Sequence, residues 1–161
     1  MKIKSFMTMM VATTFMFGVC ACGSDDDEPE VAVAAQVVGS YTGNEIFVVD
    51  NEESSNETKT YDFTKATDVS IDMTVPEVGM GMMTIPSFSV KGISLSKDGN
   101  NVMGKLTSYA GTIKGADGSE KAYTITNLTA LFSGKTVVVT YTMNYGRMPY
   151  PFISTFTGTK K

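Results

Sequence analysis

Val69-Ser70-Ile71-Asp72-Met73-Thr74-Val75 alternates apolar and polar residues at a period of two. Successive side chains of a β-strand point to opposite faces, so this spacing predicts Val69, Ile71, Met73 and Val75 on a buried face, with Ser70, Asp72 and Thr74 in water. Val137-Val138-Val139-Thr140-Tyr141-Thr142-Met143 follows the same rule. There Val137, Val139, Tyr141 and Met143 point inward, and Val138, Thr140, Thr142 and Asn144 outward. Tyr61 and Phe63 form a shorter inward pair. Each buried side chain of this kind stabilises by about 1.5–3 kcal/mol, so a one-residue slip in pairing carries a heavy penalty.

Between these runs lie turn signals. Lys97-Asp98-Gly99-Asn100 and Ala116-Asp117-Gly118-Ser119 each carry Asp-Gly, Ser133-Gly134-Lys135 is a third turn, and Tyr145-Gly146-Arg147-Met148-Pro149 a fourth. Such residues accept positive φ and match the twist of paired strands, so consecutive strands become antiparallel neighbours. Eight strands are predicted, over roughly 36–48, 58–64, 68–76, 84–96, 101–113, 121–132, 135–145 and 150–159. The alternation around Phe88/Val90 and Ile93/Leu95 changes phase at Gly92, which predicts a β-bulge, and Gly43 is a second candidate. After the first thirty residues no long stretch follows a 3.6 period, so helix should be scarce. The fold expected is all-β, an eight-stranded antiparallel meander. It is read as a closed barrel because closure removes exposed edges, with a β-sandwich as the alternative.

Ahead of this region, Lys2 and Lys4 precede the apolar stretch Phe6 to Phe17 and Gly18, the layout of a secretory signal. The stretch is shorter than the ~20 apolar residues a bilayer span needs. Val19-Cys20-Ala21-Cys22-Gly23-Ser24, followed by Asp25-Asp26-Asp27-Glu28, resembles a bacterial lipobox. The resemblance implies cleavage before Cys22 and acylation of its thiol, with Cys20 as the rival acceptor beside bulkier Val19. Palmitate-like chains on Cys22 would then partition into lipid at about 0.8 kcal/mol per buried CH₂. An acidic run directly after the lipidated residue is similar to the export signal that carries some lipoproteins to the cell surface. The expected organisation is a signal peptide over 1–21, an acidic flexible tether over 22–35 and a barrel domain over 36–161.

Val38-Gly39-Ser40-Tyr41-Thr42-Gly43 and the closing Phe152 to Gly158 resemble the calycin-like domain of small secreted lipoproteins. The Gly-x-Tyr is similar to the Gly-x-Trp that opens lipocalin barrels, with Tyr41 in place of tryptophan. Phe156-Thr157-Gly158-Thr159-Lys160 resembles a last strand that pairs back to the first. The resemblance implies a barrel that holds a small hydrophobic or lipid-like molecule.

Composition narrows the chemistry. The chain has 13 basic and 17 acidic residues, and removal of Lys2 and Lys4 with the signal makes the remainder more acidic still. A negative surface without a basic stripe argues against nucleic acid as a partner. The absence of histidine removes Ser-His-Asp and Cys-His catalysis and the commonest zinc and iron ligand. Asp72 and Glu77 remain as carboxylates for a hydrolase, but both read as solvated. No cofactor is expected and the chain is read as a non-enzyme.

The segment Gly79-Met80-Gly81-Met82-Met83, between Pro76 and Pro86, supplies flexible, polarizable side chains suited to apolar contacts at a barrel mouth, or to filling a core gap. Tyr145, Met148, Tyr150 and Phe152 cluster at another turn. The candidate ligand-binding set is Met80, Met82, Met83, Tyr141, Tyr145, Met148 and Phe152. The function expected is a monomeric lipoprotein, anchored by lipid in the outer membrane and facing the cell surface or the periplasm, that binds a small apolar ligand. The alternative is a surface protein-interaction module, accessory to an outer-membrane assembly, that uses the acidic loop Asp50 to Glu57.

Overall fold

The computed structural model of this chain describes residues 31–161 apart from 81–82 and 116–117. The signal peptide, Cys22, the acidic run and Met82 lie outside the described residues. Among the described residues ten strands follow one short helix: α1 (Val33–Val37), β1 (Gly39–Val49), β2 (Glu52–Thr67), β3 (Ser70–Val75), β4 (Val78–Met80), β5 (Met83–Ile85), β6 (Phe88–Asp98), β7 (Asn101–Lys114), β8 (Glu120–Ser133), β9 (Thr136–Tyr145) and β10 (Phe152–Lys160). Eight of them close a barrel in the order β1-β10-β9-β8-β7-β6-β3-β2, with every pair antiparallel, while β4 and β5 form a separate two-stranded hairpin. The expected all-β meander is therefore a closed barrel and not a sandwich. β10 returns to β1 along nine residue pairs from Tyr41↔Lys160 to Val49↔Phe152.

Period-two placement holds where it was read. Ile71, Met73 and Val75 are fully buried, as are Val137, Val139 and Met143, with Tyr141 nearly so. Val138 faces out at 39% exposure. Val69 departs from the rule and is 59% exposed, because the β2–β3 turn has already begun there and β3 starts at Ser70.

The turns carry the chemistry expected of them. Asp98 pairs with Asn101 and Ser133 with Thr136, each across a two-residue loop opened by a glycine of positive φ, Gly99 at 60° and Gly134 at 57°. Asp50 and Asn51 both have positive φ, at 49° and 65°, and turn β1 into β2. The segment read as an acidic loop from Asp50 to Glu57 is thus a tight hairpin whose second strand begins at Glu52, ahead of the expected 58. Nothing in Glu52-Glu53-Ser54-Ser55-Asn56-Glu57 alternates in polarity, since this end of β2 runs beyond the apolar interior.

Other boundaries shift for local reasons. The strand expected over 84–96 is broken by Pro86 into β5 and β6. The strand expected from 36 starts at Gly39, because Val33–Val37 forms one helical turn that buries Ala34 and Val37. That turn is fastened by Ala34 N–H donating to Asp68 O at 3.1 Å and by the Tyr41 hydroxyl donating to Val37 O at 3.0 Å. It covers the end of the barrel where Tyr41, Phe63 and Phe132 meet edge to face, with centroids 5.2–5.8 Å apart.

Gly92 is the bulge the phase change predicted. Ile71 pairs with Ile93 but Met73 with Val90, so β6 carries one extra residue opposite Asp72, and Gly92 takes φ 73°. Asp72 Oδ1 accepts the freed Gly92 N–H at 2.9 Å. Asp72→Ala is expected to lower stability by about 1 kcal/mol, the net worth of such a bond, and Asp72→Asn to retain most of it. The urea midpoint measures both. Gly43, the second bulge candidate, is not one: it lies in regular register opposite Gly158, and the bulge of that sheet region falls between Phe47 and Val48.

Candidate functional site

The inward phase of β1 runs Tyr41, Gly43, Glu45, Phe47, and so carries a carboxylate into the barrel. Glu45 is 1% exposed. Neighbouring staves supply its partners, because β9, β10, β1 and β2 are consecutive around the barrel. The Tyr61 hydroxyl from β2 donates a short hydrogen bond to Glu45 Oε1, Ser154 Oγ from β10 donates to the same oxygen at 2.9 Å, and the Tyr141 hydroxyl from β9 lies 3.5 Å away. The two phenolic oxygens are 3.2 Å apart. Glu45 Oε2 is buried and has no hydrogen-bond partner among the described residues.

Aromatic rings enclose this cluster. Phe156 stacks on Tyr61 at 4.0 Å with planes 2° apart, and Phe47 and Phe88 meet Tyr141 edge-on at 6.4 and 6.5 Å. Burial in this low-dielectric surrounding raises the Glu45 pKa, against the lowering effects of the Tyr61 and Ser154 hydroxyls and of the Lys59 charge. Burial, together with the adjacent carboxylate, also raises both phenols, Tyr61 and Tyr141, so they remain protonated donors. A carboxyl whose folded pKa exceeds its unfolded value of about 4.3 stabilises the fold fully below that value and loses the contribution as pH rises through the folded value. Glu45→Gln is accordingly expected to raise the melting temperature at neutral pH relative to wild type and to shrink the difference at acidic pH. Thermal unfolding of both proteins across pH 4–8 measures it; a variant less stable than wild type at neutral pH contradicts it.

Lys59 is the cation whose charge acts on this carboxylate. It lies opposite Gly43 on the inward phase of β2, and Glu57, two residues before it, is the register partner of Glu45. Its ammonium bonds to Glu57 Oε2 at 2.6 Å and to the carbonyl of Glu77 at 2.7 Å, just before β4. The hairpin it touches buries Val78 and Ile85 in the common core. Pro76 and Pro86 bound that hairpin, and its strands hydrogen-bond only to each other within the sheets.

The residues singled out from sequence fall around the same end, where β3, β5 and β9 finish or connect. Met83 and Met148 are partly buried against the core, Tyr145 is buried opposite Tyr123, and Tyr150 is half exposed. Tyr141 and Phe152 lie deeper and are fully buried. Met80 contributes backbone pairing to Met83. Of this set, Tyr141 joins the polar cluster through its hydroxyl. Asp72 serves the bulge and Glu77 offers its carbonyl to Lys59, so neither carboxylate joins Glu45. Glu45 and Ser154 were not singled out. The available signal was phase: Glu45 falls on the same alternation as Tyr41 and Phe47, and Ser154 on that of Phe152 and Phe156. Among the described residues no group of three or more Cys, Asp or Glu side chains could hold a metal ion.

The fold is similar to that of a "putative outer membrane protein" from Bacteroides fragilis NCTC 9343, known from a crystal structure, with a TM-score of 0.65 and 17% sequence identity. The match covers 81% of this chain and 53% of the other, so this chain spans about half the length of that protein. At this identity the likeness concerns the barrel alone. No family model matches the sequence, and no curated protein matches it.

Proposed function

We propose that this chain is a lipid-anchored module of the bacterial cell envelope that holds a small, largely apolar ligand in its barrel and catalyses no reaction. The observation that carries the reading is a fully buried carboxylate with one unengaged oxygen, set in an aromatic interior beneath a hairpin that is not part of the barrel sheet. Polar groups few in number and fixed in an apolar lining orient ligands in sites of this kind. The likeness in fold to a protein described as a "putative outer membrane protein" supports the envelope, and the lipobox-like Ala21-Cys22 supports the anchor.

Two measurements test it. Native mass spectrometry of the purified domain, followed by solvent extraction, is expected to show a bound organic molecule; a protein that carries none, and binds no apolar probe, overturns the ligand. Labelled palmitate fed to cells is expected to mark the wild type and not Cys22→Ala, which leaves the membrane fraction. Labelling retained by Cys22→Ala moves the acceptor to Cys20, and a wild type that takes up no label overturns the anchor.

A second reading, a surface interaction module, rests on the exposed acidic end of the β1–β2 hairpin and on Tyr150 and Ile153, 50% and 49% exposed. Pull-down from detergent-solubilised envelopes with Tyr150→Ser and Ile153→Ser variants is its test. A partner lost by these variants favours it.

A further inference from the structure

Glu45 is not explained by the fold. Strand pairing of β1 is made by backbone groups, and an apolar side chain at this inward position would be buried without the several kcal/mol that desolvation of a carboxylate costs. The protein satisfies half of the group. Oε1 collects the hydroxyls of Tyr61, Ser154 and Tyr141, which fixes the plane of the carboxylate, and Oε2 is left without a partner among the described residues. Nor is the charge neutralised by direct contact, since Lys59, the cation that acts on it, is bonded to Glu57 and to the Glu77 carbonyl.

We propose that Glu45 Oε2 is the anchoring point for a protonated amine carried on an apolar body, the ammonium donating to Oε2 while the hydrocarbon lies among the rings of Phe47, Phe88 and Tyr141. This rests on the ligand-binding reading above and names the class of ligand. A carboxylate-headed lipid is repelled by Glu45. An alcohol satisfies the hydrogen bond but leaves the charge buried. An ammonium does both, and a charged hydrogen bond in a low-dielectric site is stronger than a neutral one.

The test compares three probes of equal chain length, octylammonium, 1-octanol and octanoate, titrated into the wild-type domain at neutral pH and followed by tyrosine fluorescence and native mass spectrometry. Octylammonium is expected to bind about ten- to a hundred-fold more tightly than octanol, the worth of a hydrogen bond to a charged group, and octanoate most weakly. Glu45→Gln, which keeps size and an acceptor for Tyr61 and Ser154, is expected to abolish the preference for octylammonium; Ser154→Ala, which retains the carboxylate, keeps it. Equal binding of the three probes to wild type, a preference for octanoate, or a preference that survives Glu45→Gln overturns the amine site and leaves the apolar-ligand reading standing. Failure of all three probes to bind overturns both. The ranking on wild type decides the matter even where a variant does not fold.

Discussion

Gly43→Ala is expected to unfold the barrel at its seam, lowering the melting temperature by on the order of 10–20 °C, as a loss of about 4 kcal/mol does in a domain of this size. Gly43 and Gly158 face each other where β1 meets β10, the pairing that turns an open meander into a closed wall. A Cβ on Gly43 would sit 1.9 Å from the Thr157 carbonyl oxygen and 2.4 Å from Gly158 Cα. These are backbone atoms of a paired strand, with no flexible side-chain end to give way, so relief requires β10 to move off β1 along its length. Parting the seam exposes two hydrogen-bonding edges, and such edges recruit other chains. The variant is therefore expected to aggregate on heating as well as to melt early. Circular dichroism and light scattering measure the two effects, and a melting temperature within about 3 °C of wild type would show that the seam has slack.

Phe156→Ala is expected to be nearly as damaging, at about 3–5 kcal/mol, the usual loss when a buried phenylalanine is truncated and its cavity stays partly open. Phe156 is fully buried and its ring lies flat on Tyr61, so a stacking contribution of about 0.5–1.5 kcal/mol disappears with it. The second consequence is local. Tyr61 is held against Glu45 by that ring on one side and by its hydrogen bond on the other, and without the ring its hydroxyl loses its fixed place. Ile153→Ala on the same strand is the control, because Ile153 faces outward at 49% exposure and its loss should cost no more than about 0.5 kcal/mol. Urea denaturation separates the two variants; equal midpoints would mean that β10 has been assigned the wrong face.

What was legible before folding was whatever alternates. Val137 to Met143 and Ile71 to Val75 report their faces directly, and the phase change about Gly92 located a bulge to the residue. What escaped notice lacks that signal. Glu52 to Glu57 is polar at successive positions, so a strand that outruns the core looks like a loop. Val33–Val37 is one turn long and shows no period. Val69 continues an apolar alternation past the end of its strand, since sequence pattern alone does not say where pairing stops. Gly43 and Gly92 look alike in sequence, yet one permits a positive φ and the other a close backbone approach, and only the neighbouring strand distinguishes them.

The polar cluster was legible in part. Tyr141 is legible on the inward alternation of its strand, whereas Glu45 has no paired carboxylate of the kind that Asp72 and Glu77 form in sequence. The informative feature was instead a single charged residue in phase with buried aromatics. Its partners Tyr61, Tyr141 and Ser154 are 16, 96 and 109 residues away along the chain. Only barrel closure brings the first and last of the contributing strands together.

Val75 and Phe88 are already register partners across β3 and β6. The twelve residues between them are thus an insertion at a junction that a short connection would also close. Excising them leaves the meander uninterrupted, and exchanging them refits the mouth without redrawing the wall. This makes the segment a convenient cassette for anyone wishing to graft a different loop onto an unchanged scaffold.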